Sequence, residues 1–184
     1  MPRLEEPRPL RADARRNRER VLVAAREAFA AEGLSVSLDD IARRAGVGPG
    51  TVHRHFPTKD ALFEAVIADR LHGLTAAATE LVDAPDAGAA FFAFFHRMAD
   101  DARHNLALAS ALTGTGAAVR EAGEALAAAL GVLLARAQQA GAVRADLEIA
   151  DLHAIVAGVL VMEQRLPAAS RGRGLAVVAA GLRP

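Results

Sequence analysis

The tract Gly46-Val47-Gly48-Pro49-Gly50 puts three glycines and a proline into five consecutive positions. Neither a helix nor a strand runs through such a stretch, so the chain must turn sharply there. Upstream, Ser37-Leu38-Asp39-Asp40 reads as a helix start, with a hydroxyl that accepts from the first unpaired N–H groups and an acid three residues later at the positive helix end. Leu38, Ile41, Ala42 and Ala45 give that short helix one apolar face. Downstream, residues 51–56 form another short helix, which Pro57-Thr58 stops. A longer helix precedes both. Val21, Leu22, Ala25, Ala28 and Phe29 recur at helical spacing, and Gly33 follows as a C-terminal cap.

The rest of the chain reads as helix after helix. Thr58 caps a fourth that carries Leu62, Phe63, Val66, Ile67, Leu71 and Leu74 to about Val82 and joins head to body. Asp83-Ala84-Pro85-Asp86 breaks it. A helix with Phe91, Phe94, Phe95 and Met98 then runs to about Arg103, followed by a short segment over 106–112 and the link Thr113-Gly114-Thr115-Gly116. An alanine-rich helix ends at Gly141; the next starts after Asp146 and carries Leu152, Ile155, Val156, Val159 and Leu160. Residues 166–174 separate it from a last helix, Leu175 to Leu182. Pro2, Pro7 and Pro9 keep the first dozen residues out of a helix, with ordered structure expected from Ala12. The expectation is an all-α chain of about nine helices. The absence of Tyr and Trp agrees, because sheets favour aromatic and β-branched residues.

Net charge is zero, so the distribution carries the information. The first 60 residues hold 12 basic against 9 acidic residues and the remainder 10 against 13, with seven arginines in the first 20 positions. The basic end points to phosphate. With 52% apolar residues the chain can bury enough surface to fold. The lack of cysteine excludes disulfides and thiolate metal sites and fits a reducing, cytoplasmic compartment. No apolar run approaches the roughly 18 residues that a membrane span needs.

Three helices with a tight turn between the second and third are the layout of a helix-turn-helix, whose third helix enters the major groove of DNA. Residue order adds to layout: Leu38-Asp39-Asp40-Ile41-Ala42-Arg43-Arg44-Ala45-Gly46-Val47, then Gly50-Thr51-Val52-His53-Arg54-His55-Phe56, then Lys59 and Leu62. From about Arg15 to Val66 the chain resembles the TetR/AcrR family, and its remaining helices resemble that family's body. The resemblance implies a basic arm over 1–11, a DNA-binding head over 12–58 and a ligand-binding and dimerisation body over 59–184. It implies a homodimeric repressor that binds a palindromic double-stranded operator and leaves it when a small apolar or aromatic effector occupies the body. No cofactor, metal or membrane partner is expected. One departure is His53, where the family usually has tyrosine, so an imidazole of shorter reach replaces a hydroxyl.

Under this resemblance Gly48, Pro49 and Gly50 let the backbone approach the groove, and Thr51 and Arg54 face base edges, where an arginine fork suits the N7 and O6 of guanine. His53 donates to phosphate or a base edge. His55 and Lys59 are placed to hold phosphates, and Arg15, Arg16 and Ser37 complete the DNA-binding candidates. Phe91, Phe94, Phe95, Met98, Leu112, Leu130 and Leu134 are the candidate ligand walls, although an aromatic stripe at helical spacing also serves as plain core. Ile155, Gly158, Val159, Met162, Leu175 and Val178 are the candidate dimer interface. Two other readings stand beside this one. A helical metal-dependent enzyme would use His96, Asp100 and His104, which share one helical face opposite the Phe91–Phe95–Met98 stripe. A DNA-binding protein without an effector would respond only to its own concentration.

Overall fold

The computed structural model describes residues 9–103, 116–166 and 172–184. Eight α-helices lie among them and no strand. They are α1 (Pro9–Glu32), α2 (Leu38–Ala45), α3 (Pro49–His55), α4 (Lys59–Leu81), α5 (Ala87–Arg103), α6 (Ala117–Gln139), α7 (Ile149–Arg165) and α8 (Arg173–Gly181). The segment expected over 106–112 falls outside the described residues. α1 starts at Pro9 rather than near Ala12. Proline is tolerated in a first helical turn because the N–H it lacks would have no helical partner there.

The punctuation of the head follows its side chains. Ser37 Oγ accepts from Asp40 N at 3.1 Å and donates to the Asp40 carboxylate at 2.7 Å, so the two residues close the start of α2 reciprocally. Gly46 ends that helix at φ +63°, a conformation that only glycine adopts freely. Gly48 opens α3 with Pro49 in its first turn, and Thr58 Oγ1 accepts from Ala61 N at 3.0 Å to start α4.

Ser37→Ala is expected to cost roughly 0.5–2 kcal/mol of stability, the usual effect of losing an N-cap, read as a melting-temperature drop of a few degrees. The hydroxyl bond from Ser37 is the largest reason that the Asp40 carboxyl titrates below the usual carboxylate range, with partial desolvation opposing it and Arg43 assisting. A carboxyl depressed in the folded state stabilises above its unfolded pKa, and that contribution is lost as pH falls through the folded value. The gap between wild type and variant should therefore narrow in acid; a gap that widens would mean that the pair does not act as a cap.

Two cores result. Val21, Leu22, Ala25, Ala28 and Phe29 of α1 pack with Ile41, Ala42, Val52, Phe56 and the first turns of α4, where Phe63 meets Phe29 edge-on at 5.5 Å between centroids. Leu74, Ala77 and Ala78, further along α4, belong to the body core with α5, α6, α7 and α8. Thus α4 threads both cores. Its main packing partner is α6, and Ala68 touches Val119 and Ala122 between them.

Candidate nucleic-acid interface

Val52 and Phe56 anchor α3 and are buried at 0% and 3% exposure. At 100° per residue, the direction opposite them is occupied by Gly50 and Arg54, with His53 on one flank and Thr51 on the other. Pro49, Gly50, His53 and Arg54 are exposed; Thr51 and His55 are half-buried. Arg54 has no hydrogen-bond or ion-pair partner among the described residues and stands on the outermost line of the helix. The helix can be placed firmly because its neighbours are tied to each other: Arg20 of α1 donates to the Gly46 carbonyl at 2.6 Å, and Arg44 of α2 pairs with Glu32 at 2.6 Å.

The other expected contacts are engaged within the chain. His53 Nε2 lies 3.4 Å from the Asp39 carboxylate, on an open surface where both side chains are more than half exposed. Lys59 Nζ donates to the Leu34 carbonyl at 2.5 Å and is half-buried, which ties the start of α4 to the segment before α2. Ser37, Leu38, Asp39, His53 and Lys59 surround a shallow depression of about 290 Å³ beside α3. Arg15 lies 3.7 Å from Glu19, and Arg16 pairs with Asp13; both pairs are exposed. Such pairs exchange readily for a stronger anion, since exposed ion pairs contribute on the order of 0–1 kcal/mol. Arg18, unforeseen in the motif, lies with its guanidinium 5.5 Å from the centroid of the Phe56 ring and braces the end of α3.

The expected ligand walls come together. Phe91, Phe94, Phe95, Met98, Leu130 and Leu134 are all buried in the body core, with Phe91 and Phe95 stacked at 6.3 Å and 15°; Leu112 falls outside the described residues. Five of the six expected interface residues, Ile155, Gly158, Val159, Met162 and Val178, line one apolar groove of about 410 Å³ between α7 and α8, together with Gly181 and Leu182. Val159 and the sixth, Leu175, are at the same time core residues of their own chain, at 3% and 4% exposure. His96 is exposed and His104 falls outside the described residues. Among the described residues no three His, Cys, Asp or Glu side chains are grouped to hold a metal ion, and no helix is long and apolar enough to cross a membrane.

Residues 21–66 match the family described as bacterial regulatory proteins of the tetR family, and residues 86–184 match the C-terminal domain of SbtR-like transcriptional regulators. The crystal structure of a TetR transcription regulatory protein from Mycobacterium vanbaalenii is 45% identical at TM-score 0.75, over 96% of this chain and 100% of that one. A TetR transcriptional regulator from Streptomyces coelicolor is 34% identical at TM-score 0.74, over 91% and 98%. The HTH-type transcriptional regulator SrpR of Pseudomonas putida is 45% identical over 78 residues, which are 42% of this chain and 34% of that protein. The regulator TtgW from the same species is 44% identical over 78 residues, 42% of this chain and 54% of the relative. The chain thus matches about half or less of the length of these two curated relatives.

Proposed function

The chain belongs to the TetR family of bacterial regulatory proteins, and from that premise we propose that it is a homodimeric repressor that reads a palindromic operator with α3 and is released by a small molecule bound in its body. The observation that carries the DNA half is Arg54: an exposed guanidinium without a partner among the described residues, on the outermost line of a helix whose neighbours are fixed by Arg20 and Arg44. Residues 12–58 supply the reading unit and residues 59–184 the ligand and dimer functions. Gly48, Pro49 and Gly50 bring the backbone to the groove. Thr51 and His53 flank Arg54, and Arg15, Arg16, Ser37, His55 and Lys59 serve the phosphates. This division follows the physics of readout, in which phosphate contacts set register and base contacts set sequence.

Duplexes selected from a random pool by the purified chain should converge on an inverted repeat whose half-sites lie about one helical turn, roughly 10 base pairs, apart. Enrichment of no repeat would overturn the reading. In the body, the effector lies against Phe91, Phe94, Phe95, Met98, Leu112, Leu130 and Leu134. A compound found by thermal shift should weaken operator affinity by roughly 5- to 150-fold, and saturating operator should weaken the compound's binding by the same factor, because coupling is reciprocal. Fluorescence anisotropy and calorimetry on one preparation read both sides; unequal factors would mean that the compound acts outside this cycle.

A further inference from the structure

Phe63, Ile67, Arg70 and Leu74 follow one another on α4 at i, i+4, i+7 and i+11, a single inward stripe. Phe63 belongs to the head core and Leu74 to the body core. Arg70 stands between them, where the pattern calls for an apolar side chain, and its side chain is only 13% exposed. Its Nε donates to the carboxylate of Asp101 on α5, which balances the charge. Its Nη2 is enclosed and has no hydrogen-bond partner among the described residues. A guanidinium offers five N–H donors and no acceptor, and buried donors in folded proteins are nearly always satisfied, because an enclosed N–H without an acceptor forfeits its hydration for nothing. The apolar core is adjacent on both helices: Leu74 lies one turn further along α4, and Met98 lies one turn before Asp101 on α5.

We propose that Arg70 is the polar anchor of the ligand site in the body, and that the ligand is an amphiphilic organic monoanion whose carboxylate accepts from Arg70 Nη2 while its apolar portion lies toward Leu74 and Met98. The proposal rests on the body's being an effector site and refines its chemistry: mainly apolar walls with one orienting charge are the ordinary composition of a small-molecule pocket, and the arginine fork matches a carboxylate's two oxygens. Asp101 then has a second part besides balancing charge. It is an anion already seated on the guanidinium, so it competes with the incoming carboxylate and sets how acidic a ligand the site accepts.

That competition separates a ligand anchor from a purely structural ion pair. The probes are naphthalene-2-carboxylate and octanoate, their neutral counterparts 2-naphthol and 1-octanol, and sulfate as a small anion, measured by calorimetry and thermal shift on the full chain. The carboxylates should bind at least about tenfold more tightly than the neutral compounds, with sulfate not competing. Asp101→Asn should tighten the carboxylates severalfold, and the neutral pair Arg70→Gln with Asp101→Asn should reduce them to the affinity of the neutral probes. If the pair is structural only, both variants lose melting temperature and neither changes the carboxylate preference; that result, or the absence of any preference in wild type, overturns the proposal. Should the double variant fail to fold, the Asp101→Asn comparison decides alone. Operator affinity measured with each probe keeps the two readings apart. A carboxylate that binds through Arg70 without weakening DNA binding upholds the anchor and removes the effector role. Release of DNA by a neutral probe, equally in wild type and variants, upholds the effector role and removes the anchor.

Discussion

Gly158→Arg is expected to turn a dimer into a monomer and to weaken operator binding by at least about a hundredfold. The groove between α7 and α8 is lined almost wholly by carbon, its wall residue Met162 is 37% exposed, and the same two helices carry Val161 and Val177 at 47% and 72% exposure. Exposed apolar side chains gathered on one pair of helices are the composition of an interaction site. In a two-fold symmetric dimer the same surface serves both partners, so one substitution near the axis enters the interface twice. An arginine there would bring a charge, and its copy, into a contact whose lining residues carry no anion. The substitution is clean because a Cβ at Gly158 meets nothing within 4 Å inside its own chain. Arginine also favours helix over glycine by somewhat under about 1 kcal/mol, so each protomer keeps its fold and the melting temperature falls only by what dimerisation contributed. DNA binding falls because a lone head reads one half-site, and specific complexes exceed non-specific ones by roughly 10³- to 10⁷-fold only when the full site is engaged. Gly181, in the same groove with equally open space at its Cβ, gives an independent second variant, Gly181→Arg. Light scattering and anisotropy decide: a wild type that runs as a monomer at micromolar concentration, or variants that stay dimeric, would place the interface elsewhere.

The parts of this molecule that are legible in sequence are those governed by local chemistry. Ser37, Gly46, Pro49 and Thr58 announce helix ends because caps, left-handed glycines and first-turn prolines act within three or four residues, and each is found in that role. The apolar stripes of α1, α4 and α5 identify their buried faces for the same reason. What periodicity does not say is what a buried face meets. Leu175 carries the same apolar signal as Met162, yet it fills its own chain's core while Met162 borders the open groove, and Val159 does both. Lys59 illustrates a second limit. The motif places it near phosphate, whereas the Leu34 carbonyl it holds lies 25 residues away in sequence and is brought there only by the packing of α4 on the head. Arg70 is hidden for a third reason. A charged residue in a helix reads as part of the solvated face, and only the register Phe63–Ile67–Arg70–Leu74 reveals that it belongs to the inner one.

Arg54 and Lys59 should therefore fail in different ways when each is replaced by alanine, and the contrast tests whether α3 reads sequence. Arg54 has no partner to lose among the described residues, so Arg54→Ala should leave the melting temperature unchanged. On the selected operator it should cost about 1–3 kcal/mol per half-site and relax preference at one or two base pairs, with much less effect on scrambled DNA. Lys59 holds the Leu34 carbonyl, and in the proposed complex it also faces a phosphate. Lys59→Ala should lower the melting temperature, because a half-buried carbonyl loses its donor. It should also weaken operator and scrambled duplex alike, and make the slope of log affinity against log salt shallower by about one for each phosphate left without its cation, so about two for a dimer. Lys59→Arg separates the two roles: an arginine that still reaches Leu34 restores stability, while the salt slope reports independently on phosphate. The measurement is anisotropy of the three variants on both duplexes across a salt series, with a thermal melt of each. A uniform loss for Arg54→Ala would make it a phosphate contact, and a change in base preference for Lys59→Ala would reverse the two assignments. If Lys59→Ala loses stability but keeps the wild-type salt slope, the lysine only braces α4 against the head, and the phosphate contacts fall to His55 and the arginines of α1.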